Sequence, residues 1–342
     1  MSTPRITVEA EAGQEWDDFV RRQPGWTHFH LSAWQQVIRR VWRHDTIYLA
    51  ARHPDGSVSA ILPLVRIRSP LFGHFLCSLP FVNYGGPLGD EAGVRALAAH
   101  ATTLAASTGV DLTEFRSYQP LPLELPVSHR KVTVVLDLPA QDPASLLKRL
   151  DAKVRNQVRR PAKEGVRFEF GRAQVAPFFA VFSEHMRDLG TPTQPLQLFE
   201  TLADTFPDDC WFGCAWLGDV PIAGGCGFRW GTEFEMTWAS ALRAHAKLSP
   251  NMGLYWAFME RAIADGLTLF NFGRCSVDSG THRFKRQWGS RDVPLWWYQA
   301  ARGLAKTPSP DDSRFALGPK IWRHLPVAVA NRLGPPIVRL IP

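Results

Sequence analysis

The stretch from Asn271 to Gly289, NFGRCSVDSGTHRFKRQWG, gathers the most chemically pointed residues of the chain. An apolar strand is expected from Leu267 to Asn271, then a turn of small residues, then a short cationic helix from Thr281 to Trp288. Ser279, Gly280 and Thr281 supply a helix cap and free backbone N–H groups, while Arg283, Lys285 and Arg286 add fixed positive charge, with Arg274 just before the turn. Backbone donors and cations that meet where a strand feeds a helix form a seat for an oxyanion or a phosphate. A basic surface helix is the competing reading. Cys275 lies beside Arg274, which would favour its thiolate, but no histidine is paired with it locally, so it reads as a small turn residue.

A second cationic cluster occupies LDAKVRNQVRR, Leu150 to Arg160, read as one helix. Lys153, Asn156, Gln157 and Arg160 share a face by their spacing, with Arg155 and Arg159 adjacent, and Leu146, Leu147, Leu150, Val154 and Val158 form the apolar side. No acidic residue follows Asp151 until Glu164. Such a face repels itself unless an anion binds, which suits phosphate or an RNA backbone. Features that read base edges are absent, and DNA is not an expected partner.

Three further groups are candidates. His185, Arg187 and Asp188 close a helix whose apolar side is Phe178, Phe179 and Phe182; Gly190 is its cap, Thr191 follows, and Pro192 stops it. Asp188 can be a general base towards an amine or hydroxyl, or half of a structural pair with Arg187. Asn83, Tyr84, Gly85 and Gly86 begin a loop that exposes backbone, with Tyr84 offering a ring face or a hydroxyl; a sharp turn explains the glycines equally well. Asn251 and Tyr255 lie in a helix opened by Ser249 and Pro250, another place for an anion. There is no Gly-Lys-Ser/Thr phosphate loop and no G-x-S-x-G nucleophile elbow.

These groups are carried by elements that recur at an offset of about 160 residues. In the first half, strands are expected at 46–52, 57–68 and 75–79, a helix at 91–107 closed by Gly109, and a strand at 111–116. In the second, strands at 210–217, 222–230 and 233–239 precede a helix at 251–264 closed by Gly266 and the strand 267–271. Helices at 34–41, 175–188 and 196–205 come before the meanders. The pattern predicts a mixed α/β (α+β) architecture of two similar modules, with an interdomain cleft as the ligand site. The expected boundaries are 1–130, 131–300 and a 301–342 segment made of the linker Thr307–Asp312 and an apolar, basic tail from Phe315. The tail can pack on the core or lie on a membrane as an amphipathic anchor.

Composition narrows the class. At 342 residues two domains are the default. A net charge of +7 favours polyanionic partners. The five cysteines are scattered without a C-x-x-C pair, which argues against a disulfide scaffold or a zinc site, and no metal ligand set is expected. No leader-like segment or membrane-length apolar run is evident, so a cytoplasmic protein is expected, with peripheral contact at the inner membrane surface left open.

Together NYGGPLG (83–89), KVRN (153–156) with KEGV (163–166), MRDLGTP (186–192) and FGR (272–274) through FKRQWG (284–289) resemble the FemAB group of GNAT-related acyltransferases. The resemblance is nearest to FemAB-like proteins associated with exosortase/PEP-CTERM and exopolysaccharide loci, and spans Trp26 to Tyr298. It implies tandem acyl-CoA N-acyltransferase (GNAT)-like domains. FemAB enzymes move an aminoacyl group from aminoacyl-tRNA to an amine of a peptidoglycan precursor, and the family's conserved lysine falls on Lys285, where it would stabilise the oxyanion. The implied partners are a phosphorylated or glycan cell-envelope precursor and tRNA. No tightly bound cofactor is implied, and the co-substrate is aminoacyl-tRNA or acyl-CoA. The chain departs from the family in lacking a coiled-coil arm. It also lacks the R/Q-x-x-G-x-G/A pyrophosphate loop of acetyl-CoA enzymes, and it carries Pro161 in the basic helix and Cys275 where serine is frequent. A CoA-dependent N- or O-acyltransferase, or a non-catalytic module binding RNA or an envelope precursor, remain alternatives.

Overall fold

The computed structural model of the chain describes residues 4–302 and 317–342; the expected linker Thr307–Asp312 and the start of the tail lie outside the described residues. Two compact units divide it, one made of 4–131, 294–302 and 339–342, the other of 132–293 and 317–338. Each has its own sheet. In the first the strand order is Arg5–Glu9, Asp45–Arg52, Val58–Ser69, Gly73–Ser78, Leu112–Ser117, Trp296–Ala301 and Val127–Ser128, with Leu88–Gly89 beside Val58–Ser69. In the second it is Arg291–Pro294, Lys131–Asp137, Leu269–Ser276, Glu233–Ala241, Val220–Trp230, Cys210–Leu217 and Val166–Phe170.

The internal repeat is present in the topology. Each unit has a three-stranded antiparallel meander, a helix (Glu91–Ser107 or Pro250–Ala264) and a returning strand parallel to the last strand of the meander. The parallel pairing is short in both. It joins Phe75–Cys77 to Leu112–Glu114 in the first unit and Glu233–Glu235 to Leu269–Asn271 in the second. The second pair stops there, although the strands run on to Ala241 and Ser276.

A returning strand needs hydrogen bonds along its other edge as well. In each sheet that edge is filled by a strand from the other half of the sequence. Lys131–Asp137 follows the first repeat yet joins the second sheet, and Trp296–Ala301 follows the second repeat yet pairs with Leu112–Ser117. Placing 131–300 in one domain therefore misplaces this last strand. Tyr298 anchors it in the first unit, its hydroxyl accepting from the Leu121 N–H at 2.8 Å and donating to the Leu121 carbonyl at 3.1 Å. Trp297 lies 4.5 Å below the Arg116 guanidinium.

Two elements of the second unit differ from their expected bounds. The strand after Gly266 is Leu269–Ser276, because Phe272 and Cys275 continue into the core instead of turning. The basic helix is not continuous with the residues before it. Pro143–Arg149 and Ala152–Lys163 are separate helices, divided where Leu150 and Asp151 are extended. Asp142 caps the first helix, accepting from the N–H groups of Ala144 and Ser145. The Arg155 guanidinium occupies the Leu150 carbonyl that a continuous helix would have used. Pro161 is tolerated because it falls in the last turn, its ring buried against Gly253 of the neighbouring helix.

Helix Pro250–Ala264 is apolar on nearly every side, as a helix packed between a sheet and another helix must be. Leu254, Tyr255, Phe258, Met259, Ala262 and Ile263 are all buried. On the other face Val175–Leu189 packs over the meander. The tail forms two helices, Leu317–Trp322 and Val327–Val338, which dock on Val175–Leu189. Gly334 lies against the Thr193 backbone, Asn331 donates to Ser183 Oγ at 3.3 Å, and Gly190 faces Pro319.

Strand Glu233–Ala241 carries a bulge where the parallel pairing ends. Its partner register steps from Gly227 opposite Met236 to Cys226 opposite Trp238, leaving Thr237 extra. Gly227 permits this approach, since a Cβ there would stand 2.1 Å from the Glu235 carbonyl oxygen. Gly227→Ala should lower stability by about 1–3 kcal/mol, the usual penalty of overpacking. Urea unfolding checks this, and unchanged stability would show that the bulge does not need the glycine.

Candidate active site

Lys285 is the one buried cation of its helix. Gly280–Arg286 is started by Ser279, whose Oγ accepts from the His282 N–H at 3.1 Å and donates to the Ser276 carbonyl at 2.7 Å. His282 Nδ1 accepts from the Asp278 N–H at 3.1 Å, so its other nitrogen carries the proton that points to Asp292, 3.0 Å away. Arg283 is tied to the Asp278 carbonyl at 2.8 Å, and Arg286 to the Ser290 carbonyl. Of the three basic residues Arg283, Lys285 and Arg286, Lys285 alone turns inward, 4% exposed. Its ammonium donates to the carbonyls of Gly273 at 2.7 Å and Arg274 at 3.1 Å, on the far end of strand Leu269–Ser276. Burial pulls its pKa down to about 8; Cys275 and the Glu235 carboxylate oppose this, and Arg274 adds to it.

Beside this ammonium runs a polar seam that the sequence reading missed. Glu233, Glu235 and Thr237 alternate with Phe234 and Met236 along one strand, so the polar set shares a face. Glu235 is fully buried and accepts from the Thr237 hydroxyl at 3.1 Å. Asn271 is fully buried as well. Its amide donates to Glu233 at 2.7 Å, and its oxygen accepts from Thr133 at 2.5 Å and from the Gly273 N–H at 2.8 Å. Burial pushes the Glu233 carboxyl up to about 7, against the Asn271 hydrogen bond and the Arg291 charge. The signal was available: three polar residues at period two in a strand otherwise fit for a core.

The other candidates are distributed differently. Lys153, Asn156 and Arg159 are exposed on helix Ala152–Lys163, together with Arg160 and Lys163, and no carboxylate lies within ion-pair distance of any of these cations among the described residues. Arg155 is set apart by its bond to Leu150. This helix packs on Pro250–Ala264, and between them Leu147, Val158, Arg159, Phe168, Trp256 and Glu260 help to line a pocket of about 250 Å³. Asn251 is half-buried at the start of the second helix. Tyr255 is core, stacked on Phe272 at 5.6 Å and edge-on to Phe284 at 5.1 Å, so its ring supports the lysine helix instead of facing a substrate.

Arg187 and Asp188 form an ion pair at 2.7 Å, and Arg187 also donates to the Leu325 carbonyl at 2.9 Å. The MRDLGTP segment is thus a dock for the C-terminal helices, with its Thr191 exposed. In the first unit Tyr84 is fully buried against Phe29 and Tyr118, which removes it as a stacking platform. Asn83 is buried too. Gly85 and Gly86 pack against Leu79 and the Arg116 carbonyl, and His30 Nε2 holds the Gly86 carbonyl at 3.1 Å. Burial lowers the His30 pKa to about 4, which keeps the ring neutral at this bond. The glycines answer a packing need.

Residues 148–286 match the family model of the acetyltransferase (GNAT) domain. No curated protein matches the chain by sequence. Among solved structures it is similar to FemX, at 14% identity over 86% of this chain and 97% of that one, with a TM-score of 0.66. It is also similar to the C-terminal domain of an Agrobacterium fabrum protein assigned as a lysylphosphatidylglycerol synthetase (15%, 85% and 92%, TM-score 0.56). A tandem GNAT protein from the clavulanic acid biosynthesis pathway aligns at 14% identity over 89% and 99%, with a TM-score of 0.54. The fold is that of tandem GNAT-like domains in a mixed α/β chain, and the domain match makes the chain an acyltransferase by class.

The seam predicts a pH dependence of stability. Below about pH 4.5 Glu233 is protonated whether folded or unfolded; as pH rises towards 7 the unfolded chain ionises first, and this contribution to stability is lost. Glu233→Gln keeps an acceptor for Asn271 and cannot ionise. Stability measured in urea at stepped pH should therefore shift in favour of the variant between pH 4.5 and 7. A difference that stays flat across that window would remove Glu233 ionisation as the cause.

Proposed function

We propose that the chain is a FemAB-type transferase that passes an aminoacyl group from an aminoacyl-tRNA to an amine or hydroxyl of a phosphorylated cell-envelope or exopolysaccharide precursor. The observation that carries this reading is the Lys285 ammonium, buried at the place where the parallel strands separate. Two of its hydrogens are held by carbonyls, which fixes its position and leaves a full positive charge in a poorly solvated site. A charge so placed needs no reorganisation to meet an oxyanion. The acceptor attacks the acyl carbonyl, a C–N or C–O bond forms, the ester bond to the donor breaks, and the acceptor proton leaves with the departing hydroxyl. Asp188, held by Arg187 beneath the C-terminal helices, carries no proton in this scheme.

The exposed cations Lys153, Arg159, Arg160 and Lys163 support a polyanionic substrate, since they lack carboxylate partners among the described residues. The N-terminus of helix Pro250–Ala264 supports tRNA over CoA. Pro250 has no N–H, and the Met252 and Gly253 N–H groups turn back to the Ser249 carbonyl at 3.0 and 3.4 Å. Few donors remain there for a pyrophosphate. The separated strands favour a second reading, transfer from acyl-CoA, whose amide-bearing arm could extend a ladder that ends early.

Lys285→Ala should lose at least about a hundredfold in turnover, as removal of an oxyanion donor does, while donor and acceptor affinities stay within a few fold. Circular dichroism of the variant separates this from misfolding, and a folded variant with near-normal turnover would refute the assigned role. The pH profile gives a second check. The ammonium loses its proton as pH rises through about 8, so turnover should fall across that range. Stabilisation of the melting transition by charged tRNA and not by acyl-CoA would select the first donor; the opposite result would select the second.

A further inference from the structure

The two C-terminal helices expose large apolar side chains to solvent. Among the described residues nine large hydrophobic side chains are exposed, and four of them, Leu189, Ile321, Val329 and Leu333, lie on these helices or on the helix end they cover. Ile321 is 65% exposed, Leu333 47%, Leu189 42% and Val329 40%. On Val327–Val338 the buried side is Ala330 and Gly334, while Val329, Arg332, Leu333 and Pro336 follow one another on the opposite face at helical spacing. Arg323 reaches the Leu189 carbonyl at 3.5 Å, which places a cation beside that exposed leucine.

The charges carried by the two helices themselves have one sign. Residues 317–342 contain Lys320, Arg323, Arg332 and Arg339 and no aspartate or glutamate. Lys320, Arg323 and Arg332 are exposed, and none has a carboxylate within ion-pair distance among the described residues. Pro335 and Pro336 lack the N–H groups that the carbonyls of Asn331 and Arg332 would take in a helix, so these acceptors need water or another donor. A dry protein interface serves such a surface poorly. A headgroup layer serves it well, with phosphates for the cations, water for the carbonyls and acyl chains for the leucines. No helix among the described residues is long and apolar enough to cross a membrane, so contact would be confined to the surface.

We propose that the C-terminal helices dock the protein on an anionic lipid bilayer through Ile321, Val329 and Leu333, with Lys320, Arg323 and Arg332 on the phosphates. This inference is independent of the donor and of Lys285. The test is flotation of the full chain with vesicles of phosphatidylcholine alone or with one third phosphatidylglycerol. Binding is expected to the anionic vesicles only and to weaken as salt rises. Val329→Asp with Leu333→Asp should cut binding at least tenfold, and Arg323→Gln with Arg332→Gln should remove the salt dependence. Both pairs are exposed, so melting temperature and turnover on soluble substrates should hold. Three outcomes would overturn the proposal. They are recovery of the chain only with free protein, equal binding by the aspartate variant, and, in light scattering, a dimer that the aspartate pair dissociates. The last result would make the surface a contact between two copies.

Discussion

The early end of one strand pairing shapes the second unit more than any other constraint. Glu233–Glu235 and Leu269–Asn271 pair in parallel for three residues and then separate, while both strands continue. The bulge at Thr237 and the close approach permitted by Gly227 mark the point of separation. Beyond it the carbonyls of Gly273 and Arg274 both accept from the Lys285 ammonium. The helix that bears this lysine is held by the Ser279 cap and by His282 between Asp278 and Asp292.

Burial then sets the chemistry of the groups gathered there. A lysine removed from water favours its neutral form, a carboxyl removed from water does likewise, and Lys285 and Glu233 move in opposite directions for the same reason. The polar seam of Asn271, Thr133 and Glu233 is satisfied by hydrogen bonds within itself, as buried polar groups must be. An ammonium in such surroundings keeps its charge near neutral pH but not far above it.

The same repeat serves different ends in the two units. In the first, the corresponding parallel pair, Phe75–Cys77 with Leu112–Glu114, leads to a buried ion pair between Glu114 and Arg116, under Trp297. The glycine loop 85–86 is closed by packing and by His30. Among the described residues no lysine other than Lys285 is buried. The acetyltransferase domain match, residues 148–286, lies in the second unit.

Much of this was legible in the residues. Apolar runs broken by turns placed the strands of both meanders, and Gly190 and Gly266 marked helix ends. The internal offset exposed the repeat, and local cap chemistry singled out the helix of Lys285. Such features depend on neighbours a few residues away, so sequence alone could determine them. The exchange of Lys131–Asp137 and Trp296–Ala301 between sheets could not be read this way, because an edge partner is chosen by which strand lies open, far along the chain. For the same reason Tyr84 and Tyr255 looked like ligand contacts and are core, and the part of MRDLGTP in docking the C-terminal helices was not foreseen. Residue type proposed the cation at 285. Only the tertiary structure decided that it is buried, what holds it, and where its charge stands.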